Sequence, residues 1–200
     1  MDGRHSTLRE QRRAETQRVI QAHAVRLFME RGYDGTTVND VAEAAGVSPM
    51  TVYRHFPTKE DLVLVDQNGP LVAARVSATP AGQPLVRRIG GALVESARAL
   101  TAGDDRFLLA RLRLMISTPA LRARHLDNHH VLQQAIVDGL GDEAADPDTA
   151  FRAAAAASAC LAAMHIALVR WATEDGHGDL PDLISEAFAA AFGDAAPRRR

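Results

Sequence analysis

Apolar residues recur at helical spacing along most of the chain. Ile20, Ala24, Leu27 and Phe28 fall at i, i+4, i+7 and i+8, one stripe of a helix expected from about Arg13. The polar stretch Met1 to Glu10 is expected to precede it as a mobile segment. Gly32, behind the basic Arg31, ends the helix, and Tyr33-Asp34-Gly35 reads as a loop. Thr37 with Asp40 resembles a capping box for a second helix, whose inward face is Val38, Val41, Ala42 and Ala45. Gly46 breaks that helix. Ser48 then caps a third, with Pro49 in its first turn, where the missing N–H costs nothing, and with Val52 and Phe56 turned inward. Pro57 stops it, and Thr58 is expected to cap a fourth helix running from Lys59 to about Ala78, kinked or broken at Asn68-Gly69-Pro70.

The remaining pattern is helical too. Helices are expected over about Leu85–Ala102, Asp105–Ser117, Thr118–Leu140, Thr149–Glu174 and Leu180–Phe192, with Gly103-Asp104 as a turn and residues 141–148 as an acidic loop. The fold class expected is all-α with about nine helices. A three-helix domain covers residues 10–60, and a helical domain covers 61–195. Composition agrees, because aromatics are only 4% and alanine is abundant after Phe151. No unbroken run of 18 apolar residues occurs, so no membrane span is expected. The charged first thirteen residues do not read as a secretory signal. The single cysteine, Cys160, forbids an internal disulfide and fits a reducing cytoplasm. The net charge of −2 is uneven: residues 1–59 hold nine Lys/Arg against seven Asp/Glu, residues 60–197 eleven against eighteen, and Arg198 to Arg200 close the chain. A mildly basic head on an acidic body suits a nucleic-acid-binding module joined to something else.

Two short helices joined at a glycine turn, the second opening Ser-Pro, have the layout of a helix-turn-helix. Such a second helix enters the major groove and must carry small and polar groups on its outer face. Here that face is Ser48, Met50, Thr51, Tyr53, Arg54 and His55, and all but Met50 can donate a hydrogen bond to a phosphate or a base edge. Val52 and Phe56 already occupy the inward side, which favours DNA contact over core packing for Tyr53 and His55. Thr37, Thr51 and Lys59 read either as ordinary caps or surface residues or as phosphate holders near positive helix ends, and both roles are open to Thr37 and Ser48. Arg12 and Arg13 are either solvated or within reach of DNA.

The run Gly32-Tyr33-Asp34-Gly35-Thr36-Thr37-Val38, Asp40-Val41-Ala42, Ala45-Gly46-Val47-Ser48 and Thr51-Val52-Tyr53-Arg54-His55-Phe56-Pro57-Thr58-Lys59-Glu60-Asp61-Leu62 resembles the TetR family of transcriptional regulators. The likeness is nearly continuous from Arg18 to Leu62. It departs at Met50, where many members carry glycine; there Met50 would alter base contact, for instance by touching a thymine methyl. Gly69-Pro70-Leu71, Arg111-Leu112-Arg113-Leu114, Ser117-Thr118-Pro119-Ala120-Leu121-Arg122-Ala123-Arg124 and Trp171 resemble a branch of that family whose sensing domain is acyl-CoA-like, the mycofactocin-regulator type.

What the resemblance implies is a cytoplasmic homodimer paired through its last two helices. It would bind a near-palindromic double-stranded operator through Thr37, Ser48, Pro49, Met50, Thr51, Tyr53, Arg54, His55 and Lys59. Ala156, Ala159, Ala163 and Ala167 with Ala187, Ala190 and Ala191 would line the pairing surface. A small-molecule effector, acyl-CoA-like by the resemblance, would release it. A repressor is expected, with an activator of the same fold as the alternative and a helical binding protein or enzyme as the remote one.

The pocket residues expected are Arg111, Met115, His165 and Trp171. His165 reads equally as a core histidine, and Arg111 and Arg113 equally as surface ion-pairers. His125, His129 and His130 sit at spacings that can share an ion, but a polar helix face is the simpler reading, and neither metal nor cofactor is expected. Cys160 reads as a small buried side chain. Ser158 and His165 share a helix face without a third orienting group or an oxyanion site, so no catalytic set is recognised.

Overall fold

The computed structural model describes residues 3–64, 69–103 and 105–197, nearly all of them helical. Nine α-helices and three short 3-10 turns follow one another among these residues: α1 Gly3–Arg31, α2 Val38–Ala44, α3 Pro49–His55, α4 Gly69–Ser77, α5 Leu85–Thr101, α6 Asp105–Ser117, α7 Pro119–Asp138, α8 Pro147–Thr173 and α9 Leu180–Phe192. The chain divides into two compact units. One comprises Met1–Val65 with Leu114–Arg122, the other Asp66–Arg113 with Ala123–Arg200. The end of α6 and the start of α7 thus group with the N-terminal helices.

In the first unit α1 begins at Gly3, about ten residues earlier than its apolar stripe suggested. Arg, Gln and Glu are good helix formers without any core to face, so a helix can extend where no stripe marks it. The core is Ile20, Ala24, Val25, Leu27 and Phe28 of α1 against Val41, Ala42, Val52 and Phe56. Thr36, fully buried, donates its hydroxyl proton to the Gly32 carbonyl at 3.0 Å. Thr58 and Asp61 cap each other, but the turn they open is a 3-10 helix, Glu60–Leu62, rather than the start of a long fourth helix. Helix α4 starts afresh at Gly69. Of the expected break, Gly69 and Pro70 are its first residues, while Asn68 lies outside the described residues, as do Asp104 and Arg198 to Arg200.

The second unit is built on α8, which packs against α5 and α9. Its buried face is Ala153, Ala157, Cys160, Leu161, Met164, Ala167 and Trp171. Ala167 therefore belongs to the chain's own core rather than to an outer stripe. Helix α8 opens at Pro147, capped by Asp146 on the Thr149 N–H, two residues before the expected start. By length and composition it is apolar enough to cross a membrane, with a mean hydropathy of 1.6 over 18 residues. Alanine reaches that mean without an unbroken apolar run, since Ser158 and His165 interrupt the sequence. Helix α4 lies close to α7: a Cβ on Gly139 would come within 2.7 Å of the Ala73 Cβ, so only glycine fits there. The Ser77 hydroxyl donates to the Gly139 carbonyl across the same contact. Arg88 of α5 is buried and makes four bonds: to Thr79 Oγ1 at 2.9 Å, to the Val76 carbonyl at 3.2 Å, and to both oxygens of Glu143 at 2.7 and 3.0 Å.

Candidate nucleic-acid interface

Local chemistry sets the α2–α3 pair. Thr37 accepts the Asp40 N–H while the Asp40 carboxylate accepts the Thr37 N–H at 2.7 Å, a complete capping box. The Thr37 hydroxyl, which donates to the Asp40 carboxylate at 2.6 Å, and then the Thr37 N–H hold that carboxyl below the usual range. At the far end of α2 the chain reverses through Gly46, whose φ of +66° places it in the left-handed region. The Val47 N–H then reaches the Ala42 carbonyl at 3.0 Å, closing a Schellman turn. Ser48 accepts the Thr51 N–H at 3.1 Å and starts α3 behind Pro49.

The consequence is a helix with one buried and one open side. Val52 and Phe56 face the core, and Met50 and Tyr53 stand out at 75% and 49% exposure. Ser48, Pro49 and Arg54 are exposed and Thr51 is half-buried, with its hydroxyl 2.9 Å from that of Ser48. His55 is half-buried and its Nδ1 has no hydrogen-bond partner. Burial first, then the charges of Arg54 and Arg13, lower its pKa below the ordinary 6.5. Arg12, Arg13 and Thr16 of α1 join Arg54 and His55 around a concavity of about 340 Å³. Three guanidinium groups at one hollow make its rim cationic. Thr16 was missed in sequence because its neighbours in this hollow come from 38 residues along the chain, and no local pattern marks it.

Lys59, expected as a cap or surface residue or as a phosphate holder, makes contacts within the protein. Its ammonium donates to the Tyr33 carbonyl at 2.6 Å and lies 4.1 Å from the centre of the Tyr33 ring. Tyr33 in turn donates to Glu60 at 2.7 Å, and burial followed by that bond raises its pKa. The ammonium is thus engaged in tying the loop after α1 to the turn after α3.

Each of the four residues expected to line an effector pocket has its own surroundings. Trp171 is buried, with its indole N–H donating to the Gly178 carbonyl at 3.0 Å, a core anchor for the α8–α9 turn. Arg111 lies over the Phe107 ring at 5.5 Å. Met115 is buried in the segment that groups with the first unit. His165 Nδ1 is 3.2 Å from His125 Nε2. An open cavity of about 800 Å³ in the second unit is lined by residues that include Arg75, Thr79, Arg87, Arg88, Arg98 and Ser185. Sequence reasoning overlooked it because α4, α5 and α9 contribute to it from over a hundred residues of chain. Arg113 is an ion-pairer, bound to Asp175. Cys160 is buried and its thiol is pushed up to about 12 by desolvation.

Comparison with known proteins bears on the same two regions. Residues 20–65 match the model of bacterial regulatory proteins of the tetR family, and residues 71–192 match the MftR C-terminal domain. The chain belongs to the TetR family. Among its TetR-family relatives is the HTH-type transcriptional regulator TcmR of Streptomyces glaucescens, 31% identical over 60% of this chain and 56% of TcmR. The HTH-type transcriptional repressor AcnR of Corynebacterium glutamicum is 34% identical over 56% of this chain and 57% of AcnR. The matched stretch thus spans a little over half the length of these relatives. Two solved structures share the fold: NalD, the secondary repressor of the MexAB-OprM multidrug efflux pump in Pseudomonas aeruginosa, and the Thermus thermophilus repressor FadR in complex with lauroyl-CoA. NalD has a TM-score of 0.53 at 20% identity over 94% of this chain and 100% of NalD. FadR has 0.50 at 22% identity over 92% and 97%.

Proposed function

We propose that this TetR-family chain is a ligand-responsive transcriptional repressor that binds operator DNA as a homodimer in the cytoplasm. The observation that carries the reading is α3: capped by Ser48, anchored by Val52 and Phe56, and offering Met50, Thr51, Tyr53 and Arg54 outward. Tyr53, Arg54 and Thr51 contact phosphates or base edges, and Met50 meets a thymine methyl. Thr37, Ser48 and Pro49 lie against the backbone, and a phosphate sits in the hollow of Arg12, Arg13, Thr16, Arg54 and His55. Lys59 acts indirectly, by holding the loop after α1.

A second copy pairs through α8 and α9. Phe151 and Ile166 of α8 stand 74% and 65% exposed, with Ala155, Ala159 and Ala162 open between them, an apolar stripe suited to a twin helix. Two copies set two recognition helices about 34 Å apart, one DNA turn. An acyl-CoA-like effector is supported by the MftR-type C-terminal match and by the lauroyl-CoA bound to FadR. It releases the operator only by favouring the state with lower DNA affinity, a coupling of about 1–3 kcal/mol.

Fluorescence anisotropy with the DNA upstream of the chain's own gene tests this. Binding that weakens steeply with salt, and weakens further with long-chain acyl-CoA, is expected. No binding to that or neighbouring intergenic DNA at low salt removes the regulator reading.

A further inference from the structure

The second unit contains three imidazoles that the operator reading leaves unused. Helix α7 brings His125 and His129 one turn apart, and α8 brings His165 to them from 40 residues along the chain. The ring centres are 4.5 Å apart for His125 and His129, 5.2 Å for His125 and His165, and 6.1 Å for His129 and His165. His125 is buried, while His129 and His165 are half-buried and give the cluster its access. His129 Nε2 is itself buried and has no hydrogen-bond partner. Desolvation, and the neighbouring rings with His130, keep these imidazoles neutral, with His125 lowered to about 3 and His129 to about 4. A neutral imidazole is the form that ligates metal.

We propose that His125, His129 and His165 form a binding site for a divalent transition-metal ion of the zinc class. The spacings carry this. With metal–nitrogen bonds of about 2.0–2.1 Å, two ligands of a tetrahedral ion lie about 3.3 Å apart and their ring centres about 5.2 Å apart. The His125–His165 pair already has a nitrogen separation of 3.2 Å. Its ring centres lie 5.2 Å apart, and the other two pairs fall on either side of that value. Among the described residues no three such donors stand so that they could hold an ion as placed, so binding requires these rings to move together. Closing the set turns the unpartnered His129 Nε2 toward the His125–His165 pair, and ion binding replaces a buried nitrogen that has no bond. Three neutral ligands leave the ion's charge uncompensated and a fourth position open. That position suits water or an anionic oxygen donor, and imidazole ligands select the zinc, cobalt and nickel group over calcium or magnesium.

The site does not depend on DNA binding, so its test omits DNA. Untagged full-length chain, stripped with a chelator, is titrated with Co²⁺ as a visible stand-in and then with Zn²⁺. One ion per chain, ligand-field absorption abolished by Zn²⁺, and a raised melting temperature are expected. His129→Ala and His165→Gln, both at half-exposed positions and checked for fold by circular dichroism, each weaken binding at least tenfold. In the unaltered chain, imidazole ¹H–¹⁵N spectra should shift for three histidines on adding Zn²⁺, a readout that needs no variant. Absence of stoichiometric binding, or affinity in both variants equal to that of the unaltered chain, or Zn²⁺ shifts confined to other histidines, overturns the proposal.

Discussion

The helix-turn-helix and the α4–α5–α8 body are held by bonds of different reach. Around α2 and α3 the decisive contacts span three residues: Thr37 with Asp40, Ser48 with Thr51, and Thr58 with Asp61. In the second unit they cross the chain. Arg88 meets Glu143 55 residues away, Ser77 meets Gly139 62 away, and Arg87 meets the Asp194 carbonyl 107 away. Short-range bonds make a motif that can be read from a stretch of sequence and that keeps its shape when its surroundings vary. Long-range bonds make a body whose stability rests on a few junctions that no stretch of sequence displays.

The largest effect should come from the most heavily bonded junction. Arg88→Ala removes four hydrogen bonds and leaves Glu143 unpaired, though Glu143 is exposed enough to recover water. A loss of about 2–4 kcal/mol is expected in urea unfolding. A loss below about 1 kcal/mol would show that the second unit is held by its apolar packing alone. Gly139→Val overpacks the α4–α7 contact and should cost about 1–3 kcal/mol, seen as a lower melting temperature. Neither change alters the α3 face, so operator affinity measured below the melting transition should stay within about twofold of the parent.

On the other side of the comparison, Arg54→Ala should weaken operator binding about tenfold, or about 1.4 kcal/mol, with the melting temperature unchanged. It should also lower the slope of affinity against salt; an unchanged slope would take Arg54 off the phosphates. Ser48→Ala is the smallest and most local test. Loss of the α3 cap should cost about 1 kcal/mol, with amide exchange speeding up at Thr51 and Val52 but not in α8. Faster exchange in both units would blur the distinction between local and long-range control.

Legibility followed the same division. The Thr37 and Ser48 caps, the turn at Gly46 and the inward pair Val52 and Phe56 stand in the structure as their sequence spacing implied. Helix α9, Leu180–Phe192, agrees to the residue because Asp179 caps it and Gly193 ends it. The start of α1 was hidden because no apolar stripe runs through its first turns in the sequence. Lys59 reads in sequence as a cap, a surface residue or a phosphate holder, and only the return of the chain past Tyr33 shows where its ammonium is engaged.

The amino-acid order by itself therefore determined the helical class, the recognition helix with its open face, and most helix ends, because caps, glycine turns and apolar periodicity act over three or four residues. Tertiary structure alone decided that Arg88 is a buried junction, that Arg12, Arg13, Thr16, Arg54 and His55 share one hollow, and that His165 meets His125 and His129. Each of these brings together side chains from separate helices, and a contact between helices depends on how they pack, which no local pattern encodes.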